Sequence, residues 1–420
     1  MMKPDFLNDL LNEIKPFEHE KEIAGQITGL KSAIESGLKK MKLKAKVIIG
    51  GSFAKGTMIK KDRYDVDIFV VFDRKYNTTK ISDMLEKALR IAGLRAARLP
   101  GSRDYYSVSY KMFKAEIVPV IEIKKAEDAL NVTDVSLLHV NYVKNKISKN
   151  KRLGDEIRLS KAFCYANNCY GAESYIRGFS GYCLELLTIH YKSFMNFIKN
   201  ASKWKDKTVI DPEKFYKNKN VMIELNESKL MSPLILVDPV QKNRNAAAAL
   251  SEEKFNEFVR ICREFARNPS KKAFERKVFD ENRIIDKAKR EKASLYSVEA
   301  LSEKKKEDIS GAKLLKLFNF IKERIGKEGH KLKDSGWVFK EKSAKMFFSV
   351  GEIKKTVRPG PFVNMKKHAL AFKNKYRNAF VKNNRLYAEI APKSVSEILN
   401  LDKKDLSKMG INGYKFWKMF

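Results

Sequence analysis

Residues 50–71 read GGSFAKGTMIKKDRYDVDIFVV. The stretch opens on two glycines and a serine. It closes on an apolar run that carries two carboxylates, Asp65 and Asp67, one residue apart. Side chains at i and i+2 of a strand point to the same face. Asp65, Asp67 and Phe69 therefore share one face of a strand predicted at 64–72, and Val66, Ile68 and Val70 share the other. Two ionised carboxylates at that spacing repel, and one pKa must rise unless a cation lies between them. Oxygen-rich sites of this kind suit magnesium, which keeps several waters and completes its shell with carboxylates and phosphates. A solvent-facing pair at a strand end is the plain alternative, and the pair alone does not decide between the two.

The glycine turn adds weight to the first reading. A turn that follows a short apolar strand (KVII, 46–49) can expose backbone N–H groups to phosphate. Gly51 allows close approach, Ser52 adds a hydroxyl, and Lys55 adds a positive charge one turn on. A phosphate cradle and a carboxylate pair would then meet at one end of a sheet. A third acid for such a site is Glu116, at the start of the later apolar segment KAEIVPV.

Outward from this core, an apolar stripe of Ile23, Ile27, Leu30, Ile34 and Leu38 predicts a helix over 19–41, and KISDMLEKALRIAGL predicts another. DYYSVSYKMF and AEIVPVIEI read as strands, with Pro119 marking an edge or a bulge. From about Thr133 the spacing turns helical, with one long helix expected over 180–204. LILVDPV returns to strand at 234–240, and Ser251 is a candidate N-cap for the helix that follows. The polar, basic stretch at 281–308 reads as a connector. A helix at 309–326, strands in WVFKEKSAKMFFSVGEI, a helix near 364–376 and a final strand NRLYAEI complete the chain. The fold class is α+β.

The chain of 420 residues has room for two to four domains. Its 86 Lys and Arg against 51 Asp and Glu give a formal charge of +35. Residues 301–420 hold 29 of the basic residues and 12 of the acidic ones. Such clustering raises the local concentration of polyanions and favours a nucleic-acid partner. No apolar run is long enough to span a membrane, and acids near the N-terminus argue against a secretory signal. The four cysteines form no CxxC pair, so neither a zinc site nor a disulfide framework is expected, and a cytoplasmic location fits.

The order GS, short helix, acid-x-Asp and a third acid on another strand resembles the nucleotidyltransferase superfamily of the polymerase-beta type. KAFCYANNCYGAESYIRGFSGYCLELL, VDPVQKNRNAAAALS and FVRICREFARNPS further resemble the archaeal, class I CCA-adding enzymes. The resemblance covers essentially the whole chain. It implies template-independent addition of C, C and A to the 3′ end of tRNA from CTP and ATP, with magnesium as cofactor. It also implies a catalytic head at 1–130 built on a small mixed sheet, a helical neck at 131–205, a central body segment at 206–280, and a basic body and tail at 281–420 of α/β character that binds RNA. A homodimer is compatible with it.

Carried over by position, Asp65, Asp67 and Glu116 are the metal-binding, catalytic acids. Gly51, Ser52, Lys55, His139, Lys161 and Tyr170 bind the nucleotide, and Arg244 helps to discriminate the incoming base. Three positions depart from the family pattern. Asp65 stands for the usual Glu, Glu116 for the usual Asp, and Lys55 for an Arg. Two other readings share these residues: a related RNA nucleotidyltransferase such as a poly(A) polymerase, and an RNA-binding homologue without activity.

Overall fold

The strand expected at 64–72 becomes the second strand of a five-stranded sheet. In the computed structural model, which describes residues 4–61, 64–110, 112–303, 306–353 and 355–420, the chain begins with α1 (Phe6–Ile14) and α2 (Phe17–Lys40). Then follow β1 (Ala45–Ile49), α3 (Gly51–Lys55), β2 (Tyr64–Phe72), α4 (Ile81–Ile91), β3 (Ala97–Leu99), β4 (Tyr105–Ser109) and β5 (Phe113–Ile121). The strand order is β1-β2-β5-β4-β3. β2 and β5 run parallel and the other pairs antiparallel, so the sheet is mixed, as expected.

One sheet face carries Val66, Ile68, Val70 and Ile117 and is covered by the α2 stripe Ile23–Ile27–Leu30–Ile34–Leu38 and by Leu85 and Leu89 of α4. The other face carries Phe69, Val71 and Val120 against Val140 of the next helix. Pro119 corrects an expectation. It stands in register with Val70 on an interior strand, with no bulge. The strand tolerates it because β4 pairs with β5 only over 114–117 and leaves that side of Pro119 free of a ladder partner.

A helical layer follows: α5 (Ser136–Lys149), α6 (Arg152–Ala166), α7 (Gly181–Tyr191) and α8 (Phe194–Ala201). The single long helix expected at 180–204 is two. Lys192 adopts a left-handed φ of 65°, and the Ser193 hydroxyl accepts from the Asn196 N–H at 3.2 Å to start the second. β6 (Thr208–Ile210), α9 (Val221–Glu224), α10 (Glu227–Leu230), β7 (Leu234–Leu236) and α11 (Glu252–Arg267) complete this part. Ser251 caps α11, as read from sequence. Phe163, Phe179, Phe194, Phe197, Phe258 and Phe265 dominate a core that also buries all four cysteines, each with a free thiol.

Contacts divide the chain into two units, residues 1–277 and 278–420. The second unit corrects the connector expected at 281–308. Residues 281–290 form α12 (Glu281–Arg290), and β8 (Ser294–Ser302) is an inner strand of a sheet ordered β14-β8-β10-β9. α12 buries only Ile284 and Ala288, too narrow a stripe to stand out among its charges. They pack on Leu295 and Phe347 of the sheet. On the opposite face, α13 (Glu307–Lys327) lays Leu314, Leu317, Ile321 and Ile325 against Tyr296, Val298, Met346 and Phe348. β9 (Lys331–Lys340) and β10 (Ser343–Gly351) form a hairpin.

β11 (Thr356–Phe362), α14 (Lys366–Lys375), β12 (Ala379–Lys382) and β13 (Arg385–Ile390) make a small sheet with one helix. NRLYAEI is not the final strand. α15 (Val395–Leu399), α16 (Lys403–Met409) and β14 (Ile411–Lys418) follow it, and β14 returns to pair with β8. No helix among the described residues is long and apolar enough to cross a membrane.

Candidate active site

The glycine turn is stitched to the acidic strand. The Gly50 N–H donates to the Asp67 carbonyl at 2.8 Å. Gly51 has φ +61°, and a Cβ there would lie 2.1 Å from Asp67 Oδ2. The missing side chain is thus the space that the Asp67 carboxylate occupies, and an L side chain would also strain the backbone. α3 is one short turn that ends on Gly56, also left-handed at φ +63°. It carries Ser52 and Lys55 toward the same opening.

Asp65 and Asp67 lie on one face of β2, as the alternation requires. β5 pairs in register Asp65↔Lys114 and Asp67↔Glu116, which places Glu116 beside Asp67 on that face. The sequence pairing of two acids with a third from a neighbouring strand is therefore realised at the level of strand register. Asp67 is raised to about 6 by burial first, then by Glu116, with Lys55 opposing and Asp65 and Glu185 adding to the rise. Such a crowd of like charges is relieved by a cation. Glu116, however, is turned onto Lys114 at 3.0 Å. Among the described residues no three carboxylate, imidazole or thiol groups converge at metal-ligand spacing. The donor types and the electrostatics fit a hard divalent cation, and Glu116 would join them by releasing Lys114.

Beside the carboxylates opens a cavity of about 280 Å³. Gly51, Ser52, Lys55, Asp65, Asp67, Lys161 and Tyr170 of the sequence-derived set all line it. Residues the sequence reading missed line it as well: Thr57, Lys61, Tyr182 and Glu185. Glu185 is wholly buried and accepts from Lys55 Nζ at 2.6 Å and from Lys161 Nζ and Thr57 Oγ1 at 2.8 Å. Burial pushes the Glu185 carboxyl up, but the charges and hydrogen bonds of Lys161 and Lys55 outweigh it and hold it at about 2. Burial pushes Lys161 down to about 8, against the pull of Glu185 and with the push of Lys55 and Lys61. Burial likewise lowers Lys61, whose ammonium stands 4.5 Å from the Tyr170 ring centre, and raises the Tyr170 hydroxyl. A signal for Glu185 was present: an acid amid CLELLTI, in a helix apolar on nearly all sides.

Glu116, His139 and Arg244 stand outside the cavity lining. His139 and Arg244 meet around Asp238, a second buried acid that the sequence reading passed over although Asp-Pro marks a turn. His139 Nε2 is 3.1 Å from Asp238 Oδ2, and Arg244 Nη1 donates to the same oxygen. Tyr182 joins the two clusters. Its hydroxyl donates to Asp238 Oδ1 at 3.2 Å, its ring lies 4.4 Å from that of His139, and the Arg244 guanidinium lies 5.8 Å from its centre. Burial pushes Asp238 up, but His139 and Arg244 hold it below the usual carboxylate range.

Known proteins share this architecture. Residues 1–137 match the family described as Second Messenger Oligonucleotide or Dinucleotide Synthetase domain, and residues 155–275 match tRNA nucleotidyltransferase, second domain. The CCA-adding enzyme of Nanoarchaeum equitans is 38% identical over 289 residues, 67% of this chain and 68% of that protein. The CCA-adding enzyme of Methanocaldococcus jannaschii is 30% identical over 416 residues, 95% of this chain and 90% of that one. Among solved structures, the RNA terminal uridylyl transferase Cid1 superposes at a TM-score of 0.53 with 14% identity, covering 65% of this chain and 98% of that one. A magnesium and 3′-dATP complex of Cid1 gives 0.52 at the same identity and coverage. These last two likenesses establish the fold.

Proposed function

Since the chain belongs to the CCA-adding enzymes, we propose that its cavity under Gly51 holds CTP or ATP while a tRNA 3′-hydroxyl attacks the α-phosphorus. The protein adds C, C and A to the 3′ end of tRNA. The observation that carries the assignment of the site is the register pair Asp67↔Glu116, beside a cavity walled by Lys55 and Lys161. Acids and cations of this kind, side by side, suit a polyphosphate whose charge must be shared between metal and ammonium groups.

In this reading the new bond joins the tRNA O3′ to the α-phosphorus, the bond from that phosphorus to the bridging oxygen breaks, and pyrophosphate leaves. Asp65, Asp67 and Glu116 would hold magnesium. Bound there, it would make the attacking hydroxyl more acidic and neutralise charge on the leaving oxygen. Glu116 can accept the hydroxyl proton once Lys114 is displaced. Ser52, Lys55, Lys161 and Tyr170 orient phosphate oxygens by charge-assisted hydrogen bonds. Arg244, braced by Asp238 and packed beside Tyr182, offers a rigid fork to a base edge, and His139 supports it through the same acid. Lys114 is a further cation at the carboxylates that the sequence reading did not single out.

We assign the head to 1–130, the neck to 131–205, a central body segment to 206–280, and the remaining body with the tail to 281–420. The exposed Lys366, Lys367, Lys373 and Lys375 of α14, near exposed Phe362 and Phe380, support RNA contact by the last part. The test is incubation with tRNA lacking its 3′ end, CTP, ATP and magnesium, followed by sequencing of the products. Addition that stops at CCA is expected. An open-ended A tail or no extension would overturn the reading.

A further inference from the structure

Glu185 sits mid-helix between Leu184 and Leu186, at zero exposure. A carboxylate there is costly unless it is paired and hydrogen-bonded. Its partners come from separate parts of the chain. Oε2 accepts from Lys55, the last residue of α3, at 2.6 Å. Oε1 accepts from Lys161 of α6 and from the Thr57 hydroxyl, both at 2.8 Å. Lys161 also donates to Thr57 Oγ1 at 2.9 Å and to the Thr57 carbonyl at 3.3 Å. An ammonium has three N–H groups. Lys161 therefore has a partner for each of its donors within the protein, the carbonyl contact being the longest, whereas Glu185 takes up one donor of Lys55.

The geometry assigns Glu185 as the positioning residue of the nucleotide cavity: one carboxylate oxygen per lysine holds Lys55 and Lys161 side by side, aimed at a single polyphosphate. Its charge cancels one of two adjacent ammonium charges, so that two cations can share a buried wall without driving each other apart. A triphosphate gains its first contact from the unspent donors of Lys55, and a second by exchanging the long Thr57 carbonyl contact of Lys161. The assignment rests on the nucleotidyl-transfer reading of the cavity.

The test is Glu185→Gln, which keeps the shape and removes the charge, with KM, kcat, direct CTP and ATP binding, and tRNA binding measured in parallel. KM and Kd for both nucleotides should rise about 10- to 100-fold, the worth of one or two hydrogen bonds to a charged group, while tRNA affinity stays as in the unaltered protein. The pH profile adds a readout that a purely structural role would not move. Lys161 is faced by Glu185 from α7, Lys55 from α3, Thr57 and Lys61 from the segment after α3, and Tyr170 from the loop after α6. Loss of the one negative group among them should carry the alkaline fall of kcat/KM to lower pH.

If Glu185→Gln fails to fold, Glu185→Asp decides. It keeps the charge that the buried lysines need but draws the carboxylate back by one methylene from both ammonium groups, and it should bind tRNA normally while its nucleotide KM rises because Lys55 and Lys161 are no longer held in place. Unaltered KM, Kd and alkaline limb in Glu185→Gln, or an unaltered KM in Glu185→Asp, would overturn the assignment while leaving the reading of the cavity in place. An unaltered protein that binds no CTP and adds no nucleotide would overturn both.

Discussion

Replacing Gly51 by Ala tests whether the glycine turn serves the acids. The cost has two parts. At φ +61° an L residue costs about 1–2 kcal/mol. The new Cβ would then stand 2.1 Å from Asp67 Oδ2 and 3.0 Å from its Cγ, so the carboxylate must retreat by about 1 Å. A misplacement of about 1 Å at a reacting centre costs about 100-fold in rate. Gly56 separates the two parts. Its φ is +63°, but a Cβ there meets nothing within 4 Å. Gly56→Ala should lose about 1–2 kcal/mol of stability and keep its rate. Gly51→Ala should lose similar stability and about 100-fold in kcat. Incorporation of labelled CMP into tRNA lacking its 3′ end reads the rate. Thermal unfolding and tRNA binding, measured alongside, show that both variants are folded. Equal rates in the two variants would refute the link between the turn and Asp67.

Asp67→Asn should abolish nucleotide addition and leave tRNA binding intact, read by incorporation and by a tRNA binding assay. Nucleotide affinity should weaken as pH rises through about 8, since Lys161 is pushed down to about that value and its charged form is lost above it; a CTP titration from pH 7 to 9 measures this. Asp134→Ala should be among the most destabilising changes. It leaves Arg103 buried without its partner, and it frees the Ile121 and Asn131 N–H groups, each held at 2.9 Å by Asp134. About 3–5 kcal/mol is expected, read by denaturant unfolding. Affinity for tRNA should fall by about 100-fold or more between 50 and 200 mM salt, as release of counterions requires.

The sequence by itself determined the local rules. A strand at 64–72 already decides which side chains of β2 share the face of Asp65 and Asp67, because a strand has a period of two whatever it pairs with. The GGS turn and the Asp-x-Asp spacing are likewise legible without a fold, as are the Ser251 cap and the charge gathered in the last 120 residues. Elements with weak stripes were not: α12 hides its two buried residues among charges, and β14 owes its place to pairing with β8. Partnership across long separations was decided only by tertiary structure. Glu185 meets residues 130 and 24 positions away, Asp238 gathers His139, Tyr182 and Arg244, and Glu116 comes beside Asp67 through a strand register. No spacing rule encodes such meetings. They arise because burying a charge is tolerable only where packing delivers its partner, and packing belongs to the folded chain as a whole.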